Sequence, residues 1–107
     1  MENQRENFRI DYLVNDHPTF KYLGHKFAII NVSTTGLLFQ YGKNLVLPEP
    51  NDHLEGLLYF QDGTTVETAG IVIRTSKKKR QVAIQFHQEL PPALIMEQHR
   101  KWINRHN

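Results

Sequence analysis

The sequence predicts a mainly β domain, a six-stranded antiparallel barrel closed by one carboxyl-terminal α-helix, and three observations carry that expectation. Apolar residues recur with a period of two through most of residues 10–88, the mark of strands with one buried face. Turn-forming clusters cut the pattern into short lengths, as hairpins require. After Pro91 the period lengthens to that of a helix. About six short strands would leave exposed sheet edges, and closure into a small barrel removes them.

Taken in order, residues 1–9 are too polar for a core and precede any clear hydrophobic pattern. IDYLV (10–14) is the first strand, ended by NDHP, where Asn-Asp favours a turn and Pro18 has no N–H for a ladder. KFAIINV (26–32) is rich in β-branched and aromatic residues, and GLLFQY (36–41) resumes after STT, so the two form a hairpin or sharp corner. LPEPND (47–52) carries two prolines and is a surface loop. HLEGLLYFQ (53–61) and TVETAGIVIRT (65–75) are joined by a tight turn at Asp62-Gly63, the glycine supplying a positive backbone angle. QVAIQF (81–86) sets Val82, Ile84 and Phe86 on one side and Gln81, Ala83 and Gln85 on the other. In PPALIMEQHRKWINRH (91–106) the prolines fall in the first helical turn and cations in the last, where the helix dipole favours them. Ile95, His99 and Trp102 share one face, flanked by Leu94 and Ile103, which predicts a helix packed on the barrel with Trp102 in the core.

A length of 107 residues fits a single domain, and 39% hydrophobic with 22% charged residues is ordinary for a chain that folds alone. No window is apolar enough to span a membrane, and MENQRENFR lacks the apolar run of a secretory signal, so a cytoplasmic location with no membrane partner is expected. The absence of cysteine excludes disulfides and thiolate metal sites. A net charge of +2 implies only a mild preference for anions.

Enzyme signatures are missing: there is no glycine-rich phosphate loop, no GxSxG elbow and no HExxH helix. The six histidines show no sequence pairing that would fix a metal, and acids such as Asp11 and Asp16 are the ordinary furniture of turns and strand ends. The reading is therefore of a protein that is not an enzyme and carries no metal or cofactor. The run KKKR (77–80) lies between two strands, where its charges are solvated on a hairpin tip. A nucleic-acid patch is the sharper alternative, but no aromatic residue interleaves the run, so neither DNA nor RNA is expected.

Two stretches are left over from folding needs. RENFR sets Arg5 and Arg9 four apart, and NVSTTG, about twenty residues on, breaks a β run with Asn31, Ser33 and Gly36. Each has a plain explanation alone, since NxSxxG can be a turn in which Asn31 or Ser33 bonds its own backbone and Gly36 takes a positive angle. Together, RxxxR followed by (D/N)xSxxG resembles the PilZ domain family, receptors for the bacterial second messenger cyclic di-GMP, and the resemblance runs through essentially the whole chain. It implies that residues 1–9 are a flexible arm ahead of the barrel from which Arg5 and Arg9 clamp the ligand, that Asn31 and Ser33 hydrogen-bond it from the barrel surface, and that Gly36 lets the backbone turn closely beneath it. Arginine suits this task because its planar fork donates to phosphate or to guanine O6 and N7, and its face stacks on a base. Gln4 stands where some family members carry another arginine and take up two ligand molecules, leaving one or two open here. Arg74 lies either near the site or simply exposed on its strand. The resemblance further implies a change of shape on binding that a partner protein reads. The alternative is a PilZ-fold adaptor that has lost the nucleotide and acts through protein contacts.

Overall fold

Residues 9–12 and 16–106 are described by the computed structural model. The strands are β1 (Arg9–Asp11), β2 (Thr19–Tyr22), β3 (His25–Ser33), β4 (Gly36–Gln40), β5 (His53–Tyr59), β6 (Thr65–Ser76) and β7 (Gln81–Phe86), followed by α1 (Pro92–Arg105). Every pairing is antiparallel. The order β3-β2-β5-β6-β7-β4 returns to β3 through its pairing with β4, so six strands close the predicted barrel. Strand β1 is an addition outside that ring, paired with Asn31–Ser33 at the end of β3.

The six barrel strands are not the six read from the sequence. IDYLV supplies only the short β1, of which Leu13 and Val14 lie outside the described residues, and its place in the ring is taken by β2, TFKY. That strand was missed because it follows a proline and ends at Leu23-Gly24, a pair without the usual Asn or Asp. Both residues have positive φ, 53° and 80°, which gives the two-residue hairpin turn whose twist matches its strands. Pro18 lacks a donor but its carbonyl accepts from the Ile29 N–H at 3.0 Å, so it fits the start of β2.

Inward residues fill the barrel with Phe20, Phe39, Ile29, Leu58, Val72 and Val82, each almost wholly removed from water. Phe27 stacks on Tyr41 at 4.8 Å and touches Phe39 at 5.4 Å, which in turn lies 5.1 Å from Phe20. Alternation breaks twice. A bulge between Ile29 and Asn31 moves the next inward residue of β3 to Val32, and a bulge between Val72 and Arg74 leaves Ile73 exposed. The Asp62-Gly63 turn forms as expected, with Gly63 at φ 95° and its N–H donating to the Phe60 carbonyl at 3.0 Å.

Helix α1 packs on the barrel through Ile95, Gln98 and Trp102 rather than through the predicted Ile95, His99 and Trp102; His99 and Trp102 are half-buried. Gln98 takes the central place because its amide has partners there, donating to the Asp62 carboxylate at 3.0 Å and toward the Thr64 hydroxyl at 3.5 Å. Two aspartates fasten the helix. Asp62 receives the Lys101 ammonium at 2.6 Å, and Asp16 receives Gln61 at 2.9 Å, Arg105 at 3.2 Å and His106. Tyr12, just beyond β1, sets its ring edge-on to Trp102 at 6.1 Å.

Candidate functional site

The outer wall of the barrel carries a row of residues that register defines strand by strand. Asp11 of β1 lies opposite Asn31 of β3, Asn31 opposite Leu38 of β4, Leu38 opposite Ala83 of β7, and Ala83 opposite Arg74 of β6. A parallel row runs from Arg9 to Ser33, and from Gly36 to Gln85. Across them opens a cleft of about 450 Å³ lined by Arg9, Asn31, Ser33, Gly36, Arg74 and Gln85, among others. From Asn31 to Arg74 is three strand spacings, about 14 Å measured along the sheet.

Both bulges flank this cleft. The one before Asn31 and the one before Arg74 each insert a residue that turns the following side chain to the outer face, a use of bulges common beside binding sites. Ala83 is 94% removed from water although it points outward, because the cleft walls shade so small a side chain. It forms a floor between Leu38 and Arg74.

Arg9 begins β1 and thus belongs to a paired strand rather than to the arm. Its guanidinium Nε lies 3.4 Å from the Asp11 carboxylate, and both side chains are more than half exposed, so among the described residues it sits at the cleft beside a solvated counter-ion. Arg5 and Gln4 lie outside the described residues. The Ser33 hydroxyl is built into the turn: it accepts from the Thr35 N–H at 3.2 Å and the Gly36 N–H at 3.3 Å and shares a hydrogen bond with the Thr35 hydroxyl at 3.2 Å. Ser33 therefore fixes the corner from which Asn31 and Gly36 are presented. Gly36 is not at positive φ; glycine is required because a Cβ would fall 2.2 Å from the Ile84 carbonyl oxygen, so any side chain would drive β4 off β7.

Elsewhere, the KKKR tip is a turn as expected, but Arg80 is not solvated with the lysines. Its φ of 56° folds it back, where Nη2 donates to the carbonyl of Gly42 at 2.6 Å and to that of Leu45, above the Tyr41 ring. Folding also joins two histidines that the sequence left scattered: His53 Nδ1 and His87 Nε2 are 2.9 Å apart, with Glu55 at 3.1 Å from His53 Nε2. Among the described residues no group of three or more side chains is placed to hold a metal ion. Asp11 pairs with Arg9, and Asp16 with Arg105. The Asp16 carboxyl is held below its ordinary pKa, burial pushing it up but the donors Gln61, His106 and Arg105 outweighing that. Asp62 is depressed further, chiefly by the Lys101 ammonium. Tyr12, next to Trp102, is raised by burial.

Of the residues singled out in the sequence, Arg9, Asn31, Ser33, Gly36 and Arg74 are brought together. Reasoning from sequence missed Thr35, Ala83 and Gln85 at the cleft, and Asp11 beside Arg9, because each depends on strand register and bulge position, which local pattern does not carry.

A family model described as "PilZ domain" matches residues 3–104. Among solved structures, the inhibitor of motility MotI/DgrA of Bacillus subtilis superposes with a TM-score of 0.69 at 14% identity, over 99% of this chain and 55% of that one. An uncharacterized Legionella protein superposes with a TM-score of 0.63 at 18% identity, over 94% and 99% of the two chains. The chain thus spans about half the length of the Bacillus structure, and at these identities both likenesses speak for the fold alone. No curated protein sequence matches.

Proposed function

The chain belongs to the PilZ domain family, and on that premise we propose that it is a receptor for cyclic di-GMP which binds in the cleft between β1 and β6. The observation that carries this reading is the convergence of Arg9, Asn31, Ser33, Gly36 and Arg74, from three separate stretches of sequence, on one open wall. Cyclic di-GMP offers two phosphate anions and two guanine edges. Arg9 on one rim and Arg74 on the other supply planar donors for phosphate or for guanine O6 and N7. Between them the Asn31 amide both donates and accepts, and so answers a guanine edge. Arg5 closes the clamp from the arm in this reading. Ser33 and Gly36 act by holding the corner in place, Ser33 through its turn and Gly36 through the close approach of β4 to β7.

Strand β1 connects the cleft to the helix. It carries Arg9 at one end and leads at the other to Tyr12, whose ring rests on Trp102 of α1. Ligand contacts that draw Arg9 toward the cleft shift β1, and the shift reaches α1 through this ring pair; a downstream protein reads the altered face. No helix among the described residues is long and apolar enough to cross a membrane.

One observation favours the nucleotide-free adaptor instead. Arg9 already has Asp11 beside it, and the Ser33 hydroxyl is already engaged by its own turn, so neither group lacks a partner within the protein. Calorimetric titration with cyclic di-GMP, run beside the linear guanine dinucleotide, separates the two readings. The receptor gives saturable heat with the cyclic form and much weaker heat with the linear one. Absence of heat at high micromolar cyclic di-GMP leaves the adaptor.

A further inference from the structure

The hairpin tip KKKR and the loops beside it take no part in the cleft. Three connections meet at that end of the barrel: the β2–β3 turn, the loop after β4 and the β6–β7 turn. Phe27, two residues into β3, stacks on Tyr41, which follows β4, and Arg80 of the β6–β7 turn ties down Gly42 and Leu45 through their carbonyls. Gln40 also donates to the carbonyls of Lys79 and Arg80 at 2.7 and 2.8 Å. The end is therefore a braced platform rather than three separate loops.

Its surface is unusual in two respects. Val46 is 90% exposed and Leu23 74% exposed, each an aliphatic knob at the tip of a different connection. Leu23 also holds a positive φ of 53°, a conformation that costs a non-glycine residue energy, so neither backbone geometry nor burial accounts for leucine there. Around these knobs Lys43, Lys77, Lys78 and Lys79 are exposed. On the adjoining wall Lys21 and Lys26 lie directly opposite each other, a like-charge pair that opposes folding. The acids of this end, Glu49 and Asp52, sit toward β5, where an Asp52 oxygen accepts the Glu49 N–H at 2.9 Å.

We propose that this end of the barrel docks on an anionic phospholipid surface, with the lysines against the headgroups and the Val46 and Leu23 side chains entering the interface. The partner must be anionic to match the lysines. It must also yield to convex aliphatic knobs, which a bilayer interface does and a preformed protein surface does only with fitted holes. Single-stranded nucleic acid fits less well, because the exposed apolar groups are aliphatic and offer its bases no face to stack on. The expectation of no membrane partner rested on the lack of a spanning segment, which does not bear on contact with a surface. This proposal is independent of the cleft and its ligand.

The test is cosedimentation of the full chain with vesicles of phosphatidylcholine alone and of phosphatidylcholine mixed with phosphatidylglycerol. Binding is expected only to the mixed vesicles and should fall with salt. Substituting Lys77, Lys78 and Lys79 together by Gln should weaken it roughly a hundredfold, at about fivefold per lysine. Leu23→Asn and Val46→Ser should each weaken it several-fold without lowering thermal stability, since Asn accepts a positive φ better than Leu. The idea is overturned by no binding, by equal binding to both vesicles, or by binding indifferent to Leu23→Asn and Val46→Ser. Lysine-dependent binding to an oligonucleotide with none to vesicles would assign the surface to nucleic acid and overturn it equally.

Discussion

Arg9 and Asp11 stand two residues apart on β1, and the proposed receptor makes opposite predictions for them. They form an ion pair at 3.4 Å with 58% and 67% of their side chains exposed, a geometry that contributes at most about 1 kcal/mol to folding. Arg9→Ala should therefore move the melting temperature by no more than a few degrees. Its effect on binding is larger, because the lost contact is charge-assisted on both sides: about 1.5–3 kcal/mol, or roughly ten- to a hundredfold in Kd. Asp11→Asn acts the other way. A unit charge about 8 Å from a dianion in water would repel it by about 1 kcal/mol, and the carboxylate also competes for the guanidinium, so on the proposed placement its removal should tighten binding about fivefold. Calorimetry on wild type and both single variants decides the matter, with salt titration as a check, since the Asp11 effect must shrink as screening rises. Equal weakening by both substitutions would show that the pair acts only by shaping β1, and the electrostatic account of the cleft would be refuted.

Other consequences can be measured on the unliganded chain. Gly36→Ala places a Cβ 2.2 Å from the Ile84 oxygen, backbone that cannot step aside, and should cost about 1–3 kcal/mol or more in urea unfolding. A variant as stable as wild type would contradict the strand spacing. Arg80→Met removes two hydrogen bonds from a cation to the carbonyls of Gly42 and Leu45 and should lower stability by about 1.5–3 kcal/mol, where Lys78→Met should leave thermal unfolding unchanged. The Asp62 carboxyl has its folded pKa depressed, mainly by Lys101, so its stabilisation is complete above the ordinary aspartate value of about 3.9 and is lost as pH falls through the depressed one. Asp62→Asn should thus be less stable than wild type at neutral pH and lose less stability on acidification below about pH 4, as followed by circular dichroism.

What could be read in the sequence follows what is local. Inward alternation in QVAIQF and the glycine of the Asp62-Gly63 turn are properties of neighbouring residues, and both appear as expected. TFKY escaped because four residues after a proline carry too little period to stand out, and only pairing with β3 and β5 makes them a strand. His99 was placed on the packed face by spacing, but the amide of Gln98 found Asp62 and Thr64, partners on a turn some thirty residues away in sequence. At the cleft, residue types announced Arg9, Asn31, Ser33 and Gly36 through motif spacing. Arg74 was ambiguous because its direction is set by the bulge after Val72, which exists only in relation to β7.

The ring of β2 to β7 closes without β1, which contributes Ile10 to the core from outside it. Three residues paired with the end of one neighbour form a flap whose detachment breaks a handful of backbone hydrogen bonds and lifts Ile10, 1% exposed, out of the core, while the ring of six strands stays closed. Amide exchange at Ile10 should accordingly be governed by this opening while Phe39 and Val82 exchange only on global unfolding. In the proposed receptor, a ligand that pins this flap shut works against the free energy of opening one edge rather than that of unfolding the whole shell.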